Sequence, residues 1–304
     1  MGKTAFIFPG QGAQYCGMGK DFYDTFETAE NIYEMAGAAA GLDVGALCFT
    51  ENDSLDVTKY TQIAMLTTEV AILKVLEEKG VRADCAAGLS LGEYGALAAA
   101  KVMELPQLFR LIYLRGTYMQ EAYPVGGAMT AVLGLDAETI RNICRETQGT
   151  VSVANDNCPG QIVISGEAQA VQEASARMQQ AGAKRCIPLK VSGPFHSELL
   201  RGAGEKLAAQ LEQVGVNRPE IPYVCNVEAD YVTECEPIKS LLARQVSSTV
   251  RWRETMERML ADGVDTFLEI GPGRTLAGFL KKMSRDVRVV NIGKVEEMEA
   301  FLNS

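Results

Sequence analysis

The sequence predicts an α/β protein in which a small unit interrupts a larger one. Three observations carry that expectation. Short apolar strands alternate with helices over residues 1–124, a pattern that builds a sheet covered by helices. The same alternation resumes over residues 193–304. The stretch between them, 125–192, changes character and reads β-α-β-β-α-β.

Taken in order, residues 4–8 form the first strand. It ends in the glycine-rich turn Pro9-Gly10-Gln11-Gly12, and a helical stretch begins near Met18. Residues 61–78 form a strong helix, with Met65, Leu66, Ile72, Leu73 and Leu76 on one face and Gly80 as its stop. Residues 84–87 make a short buried strand that runs into Gly88-Leu89-Ser90-Leu91-Gly92, and residues 96–100 are helical in composition. The next helix starts near Pro106, a residue tolerated in a first turn, and runs to about Ala122. Inside 125–192, residues 128–134 read as a strand. Asp136 caps a helix bearing Ile140, Ile143 and Cys144 that stops at Gly149. Residues 151–154 are a strand, 155–160 a turn and 161–165 a second strand. A helix follows with Val171, Ala174, Met178 and Ala181 on one face, and residues 185–191 are the last strand. This is the ferredoxin-like order. Its first and last strands are neighbours, so it can sit inside a host without parting the host's halves. Beyond it, helices are expected near 198–213, 236–244 and 252–262, and strands near 221–226, 265–270 and 287–292. The domain reading is therefore a host of 1–124 plus 193–304 and an insert of 125–192.

Composition narrows the function. The chain has 304 residues, 47% hydrophobic and 22% charged, enough to build a sizeable core. Its net charge of −10, with no basic block, argues against nucleic acid as a partner. No apolar run is long enough for a membrane span. The start has no signal-peptide layout, and Phe6 stands where a myristoylation site needs Ser or Thr. The eight cysteines are scattered without a C-x-x-C pair, and the chain has one histidine, so a zinc site is not expected. Reduced thiols in a cytoplasmic protein are the expectation.

Four positions carry chemistry. Gly88-Leu89-Ser90-Leu91-Gly92 fits G-x-S-x-G between a strand and a helix, the layout of a nucleophile elbow. A serine nucleophile needs a base in hydrogen-bond reach, and His196, in Gly193-Pro194-Phe195-His196-Ser197, is the single histidine available. Arg115 falls on the apolar stripe Leu108, Leu111, Ile112, Met119 of its helix. A buried guanidinium must be paired, either with a structural partner such as Glu93 or with a substrate carboxylate, which suits its fork. Gln11, in the turn after the first strand, is either a polar loop residue or the donor of an oxyanion-hole N–H.

Together these motifs closely resemble the acyltransferase family of fatty acid and polyketide synthases. The resembling stretches are Phe8 through Gln14, Tyr60-Thr61-Gln62, Gly88 through Tyr94, Arg115-Gly116, Asn155 through Gly166, Gly193 through Ser197, Val250-Arg251-Trp252 and Glu269 through Gly273. They span nearly the whole chain in the family's order. The resemblance implies an α/β-hydrolase-like core with a mostly parallel sheet and an inserted ferredoxin-like subdomain. It implies Ser90 as nucleophile, His196 as base, the backbone N–H groups of Gln11 and Leu91 as oxyanion hole, and Arg115 as holder of the malonyl carboxylate. Gln62 would line the pocket, and Phe195 would favour malonyl over branched acyl groups. The main-chain carbonyl of Arg251 would orient the histidine, at a position where some members carry Gln. Leu89 stands where many members have His. The implied activity is transfer of malonyl from malonyl-CoA to the phosphopantetheine thiol of holo acyl carrier protein in fatty acid biosynthesis, by a cytoplasmic monomer that needs no metal or other cofactor. An acidic carrier would need a local basic patch, for which Lys184, Arg185, Arg274, Lys281, Lys282 and Arg285 are candidates. The rivals are an acyltransferase serving a polyketide carrier, a serine thioesterase or esterase with an acid such as Asp156 behind the histidine, and a non-catalytic carrier-binding module.

Overall fold

Ten strands form two sheets in the computed structural model, which describes residues 2–191 and 193–304. Met1 and Ser192, which end segments of the expected domain division, lie outside the described residues. The strands are β1 (Lys3–Phe8), β2 (Cys85–Gly88), β3 (Gly127–Leu133), β4 (Val151–Cys158), β5 (Gln161–Glu167), β6 (Arg185–Pro188), β7 (Tyr223–Val224), β8 (Tyr231–Val232), β9 (Val264–Ile270) and β10 (Arg288–Ile292).

The larger sheet has the order β10-β9-β1-β2-β7-β8. It is parallel except for the antiparallel β7–β8 pair. β1 lies near its centre with Ala5, Phe6, Ile7 and Phe8 all buried, as a strand covered on both faces requires. The smaller sheet, β4-β5-β3-β6, is antiparallel throughout. β3 and β6 are hydrogen-bonded neighbours, which is the pairing the ferredoxin-like reading demands. The Asp136 cap forms as expected, its carboxylate accepting from Thr139 N at 2.9 Å.

Several elements depart from the sequence reading. β4 continues to Cys158 and shrinks the expected 155–160 turn to its last two residues. Register shifts at Val153/Asn155 and Asp156/Cys158 let the strand carry Asn and Asp, which a simple alternation would not place there. The last strand of the small sheet stops at Pro188, short of residue 191. The two-residue β8 has no sequence signal of its own. The Thr58–Glu78 helix is buried nearly all round, not on one face. It lies against the Glu27–Ala40 and Leu105–Ala122 helices, and so its polar Gln62 is 1% exposed.

The edge strand β4 of the smaller sheet is stitched to residues 249–250 of the larger unit, which lie in neither sheet. Val250 N donates to Ala154 O at 2.8 Å, Asp156 N donates to Val250 O at 3.0 Å, and Thr249 Oγ1 donates to Val153 O at 2.7 Å. The buried Asp156 carboxylate adds an ion pair to Arg253 at 3.2 Å. Among the described residues no helix is long and apolar enough to cross a membrane. No group of three or more His, Cys, Asp or Glu side chains among them could hold a metal ion.

Candidate active site

β2 ends at Gly88 and the next helix begins at Gly92, so the chain reverses within the intervening residues. That turn admits only glycine at both ends. A Cβ on Gly88 would lie 1.8 Å from Gly92 O, and one on Gly92 would lie 2.2 Å from Phe8 O. Ser90 sits at the apex with φ +57°, a left-handed conformation that a non-glycine residue holds only when its surroundings enforce it. Asn226 does the enforcing. Its Oδ1 accepts from Ser90 N at 2.7 Å and its Nδ2 donates to Gly88 O at 2.7 Å.

His196 also has a positive φ, +59°. Its Nε2 lies 2.7 Å from Ser90 Oγ, and its Nδ1 lies 2.9 Å from Gln245 O. A carbonyl oxygen can only accept, so Nδ1 carries the proton and Nε2 is left bare to accept from the serine hydroxyl. The expectation that Arg251 supplies this carbonyl is corrected here: the carbonyl belongs to Gln245. Gln245 ends the Ile238–Gln245 helix, and the last carbonyls of a helix lack intrahelical partners. Arg251 lies beyond the stitched edge, where its guanidinium holds Glu254 and the carbonyls of Val227 and Glu228. Burial pushes the His196 pKa down to about 4, and the nearby Arg115 charge adds to this while the Gln245 hydrogen bond opposes it. The ring is therefore neutral at pH 7, the form a base needs.

Arg115 is 1% exposed, on the Leu105–Ala122 helix. Its Nη1 donates to Gln62 Oε1 at 2.7 Å, and its Nη2 donates to Gln245 Oε1 at 2.8 Å and to Ser90 Oγ at 3.1 Å. Glu93, the structural partner considered from sequence, does not touch it. The direct partners of the cation are two amide oxygens and the Ser90 hydroxyl, while the buried Glu93 carboxyl acts on it only through space. Gln62 is fixed in turn by Met119, its Nε2 lying 3.5 Å from the sulfur.

Ser90, His196 and Gln62 open onto a cavity of about 240 Å³, with Arg115 just behind them, in hydrogen-bond contact with Ser90 Oγ and Gln62 Oε1. Ser90, His196, Gln62, Met119 and Phe195 line it, as do Gln11 and Leu91. Among the described residues neither Gln11 N nor Leu91 N has a hydrogen-bond acceptor. Met129, Ala131 and Val163 from the small sheet, with Leu189 just past its last strand, face Leu276 and Phe279 from the large unit, with Asn155, Asn157 and Gln161 as polar points. Asp156 is not behind the histidine; it is tied to Arg253 and Arg141.

The structure thus brings together Ser90, His196, Arg115, Gln62, Phe195, Gln11 and Leu91, and leaves Arg251 outside. Sequence reasoning missed Gln245 and Asn226. Asn226 left a faint signal, a polar residue closing an apolar strand. Gln245 left none, because a main-chain carbonyl has no residue signature.

A serine, a neutral histidine oriented by a carbonyl, two free N–H groups and a buried cation are equipped for acyl transfer. A family model described as "Acyl transferase domain" matches residues 5–299. The chain belongs to this acyltransferase family. Among its curated acyltransferase relatives, the malonyl CoA-acyl carrier protein transacylase of Bacillus subtilis is 42% identical and is covered over 98% of its length by 100% of this chain. The protein of the same name from Haemophilus influenzae is 40% identical, with 99% of this chain and 98% of that one covered. Solved structures agree. The malonyl CoA-acyl carrier protein transacylase of Clostridium perfringens superposes with a TM-score of 0.95 at 40% identity, over 99% of this chain and 96% of that one. A malonyl-transacylase solved in complex with a holo type II polyketide acyl carrier protein gives a TM-score of 0.96 at 41% identity, over 99% of each chain.

Proposed function

We propose that this acyltransferase moves a malonyl group from malonyl-CoA to the phosphopantetheine thiol of holo acyl carrier protein, through a malonyl ester on Ser90. The observation that carries this reading is the meeting of three groups beside the cavity: Ser90 Oγ lies 2.7 Å from His196 Nε2 and 3.1 Å from Arg115 Nη2. A plain esterase has no use for a buried cation beside its nucleophile.

His196 Nε2 takes the Ser90 proton as Oγ attacks the thioester carbonyl. The oxyanion is received by the N–H groups of Gln11 and Leu91. The C–S bond then breaks, the leaving coenzyme A sulfur takes the proton from Nε2, and malonyl-serine remains. The carrier thiol gives its proton to Nε2, attacks the ester carbonyl and releases Ser90 with its proton restored. Two half-reactions through a covalent ester predict ping-pong kinetics. Every step is served by groups of this chain, with no metal or redox cofactor.

Arg115 selects the acyl group. A malonyl carboxylate gives the cation a charged direct partner where it otherwise has only neutral ones, whereas an acetyl group does not. Phe195, buried against the cavity, limits the room beside C2 of the acyl group. The carrier docks at the cavity mouth, a reading supported by Lys282 at its rim and by other exposed basic side chains of the two units. Lys282 reaches Gln161, which lines the cavity; Lys281 and Arg285 flank a shallow groove; Lys184, Arg185 and Arg274 are exposed. We take the enzyme to act as a monomer in the cytoplasm, with residues 125–192 as an inserted subdomain. The type II polyketide carrier bound by one structural relative makes a polyketide carrier the second reading.

The test is intact mass after incubation with malonyl-CoA alone. A single malonyl adduct, absent in Ser90→Ala and discharged by holo carrier protein, is the expected result. Steady release of malonate without transfer to the carrier would replace the transferase with a hydrolase.

A further inference from the structure

Behind the cavity floor lies a buried carboxyl that the chemistry above does not use. Glu93 is 1% exposed, one residue past the elbow, and does not line the cavity. Its Oε2 accepts from Gln245 Nε2 at 2.7 Å and from Asn226 N at 3.1 Å. Those two residues between them hold the whole site. Asn226 clamps Ser90 N and Gly88 O. Gln245 donates from the same Nε2 to Ser90 O at 3.0 Å, accepts from Arg115 at Oε1, and gives its main-chain carbonyl to His196.

A carboxamide has two ends that differ only in which donates and which accepts. If Gln245 turned over, its NH2 would face the Arg115 guanidinium, donor against donor, and its oxygen would face Ser90 O, acceptor against acceptor. Arg115 alone selects the working orientation from one side. Glu93 selects it from the other, and does so with an oxygen that must sit in one place to serve Gln245 and Asn226 together.

We propose that Glu93 is a positioning residue for the transfer: its Oε2, acting through the Gln245 carboxamide and the Asn226 amide, sets the Arg115 guanidinium and Ser90 in register with His196. The inference rests on the malonyl-transfer reading of the site. What matters in it is the place of an acceptor oxygen, so the two conservative variants separate. Glu93→Gln can present its amide oxygen where Oε2 sits. Glu93→Asp keeps the carboxylate but withdraws it by about 1.5 Å, one carbon–carbon bond.

The experiment measures single-turnover acylation of Ser90 by malonyl-CoA and by acetyl-CoA in wild type, Glu93→Gln and Glu93→Asp, with folding checked by near-UV circular dichroism. The Gln variant is expected to keep at least a third of the wild-type malonyl rate. The Asp variant is expected to lose roughly 10²-fold, the cost of about 1 Å of misplacement. It should also show a lower malonyl-to-acetyl ratio, which general loosening of the fold would not produce. Gln245→Leu cuts the same link from the other side while sparing the main-chain carbonyl, and should reproduce the loss in rate and ratio if the Asp variant does not fold. An active Asp variant beside an inactive Gln variant would overturn the proposal, as would equal rates in all three proteins or equal losses in both variants. If wild type forms no malonyl-serine at all, it is the transfer reading that fails, and the two failures are distinguished.

Discussion

Arg115→Ala tests the selection of the acyl group most directly. In the structure the guanidinium is 1% exposed and serves Gln62 Oε1, Gln245 Oε1 and Ser90 Oγ at 2.7, 2.8 and 3.1 Å. Truncation leaves two buried amide oxygens without a donor, at roughly 1–3 kcal/mol each in stability. The effect on chemistry is larger and specific. Removing one member of a buried charge pair costs about 3–5 kcal/mol, which at about 1.4 kcal/mol per decade slows acylation by malonyl-CoA roughly 10²–10⁴-fold. Acetyl-CoA has no carboxylate to lose, so its rate should change by less than about tenfold. The assay is single-turnover acylation of Ser90 with each thioester, below the variant's unfolding temperature. Arg115→Lys, which keeps the charge without the fork, should fall between the two. Equal losses for malonyl and acetyl would refute the carboxylate clamp and leave Arg115 as a structural cation.

Three further expectations follow from other parts of the site. Gly88→Ala drives a Cβ to 1.8 Å from Gly92 O; the variant should lose roughly 4 kcal/mol or more by denaturant unfolding, and a loss under 1 kcal/mol would show that the elbow yields. His196, held at about 4 against 6.5 when unfolded, binds fewer protons folded than unfolded between those values. It therefore lowers stability as pH falls from about 6.5 to 4, by up to about 3 kcal/mol. His196→Asn, which tolerates the positive φ, should remove that slope, and parallel pH profiles for the two proteins would contradict the shift. Arg251→Ala should leave acylation within about twofold, since its guanidinium pairs with a half-exposed glutamate and has no part in orienting His196; a large loss of rate would reopen the assignment to Gln245.

What could be read from the sequence was whatever depends on side-chain type at fixed spacing. Ser90 announced itself through two glycines that steric crowding demands. Arg115 stood out as a charge on an apolar stripe, and the small sheet through its strand–helix order. What could not be read depends on main chain or on distant contact. Any residue type can offer the carbonyl that Gln245 gives to His196, so the family resemblance pointed to Arg251, six residues on. Glu93 was considered only as a structural partner for Arg115, whereas its link runs through Gln245, 152 residues away. β4 runs past its expected end because its irregular register tolerates Asn155 and Asp156, and that edge pairing with Val250 is a tertiary fact.

The amide partners of Arg115 have one more consequence. Because its direct partners Gln62 and Gln245 are neutral, the positive potential of the guanidinium reaches the imidazole close by, where, second to burial, it helps keep His196 unprotonated. The same field draws the acyl carboxylate, which on arrival weakens it and makes the ring a stronger base. Substrate choice and part of the base strength thus share one electrostatic source. An engineered enzyme that trades Arg115 for an apolar residue to accept other acyl groups will also change the pH range over which its histidine works.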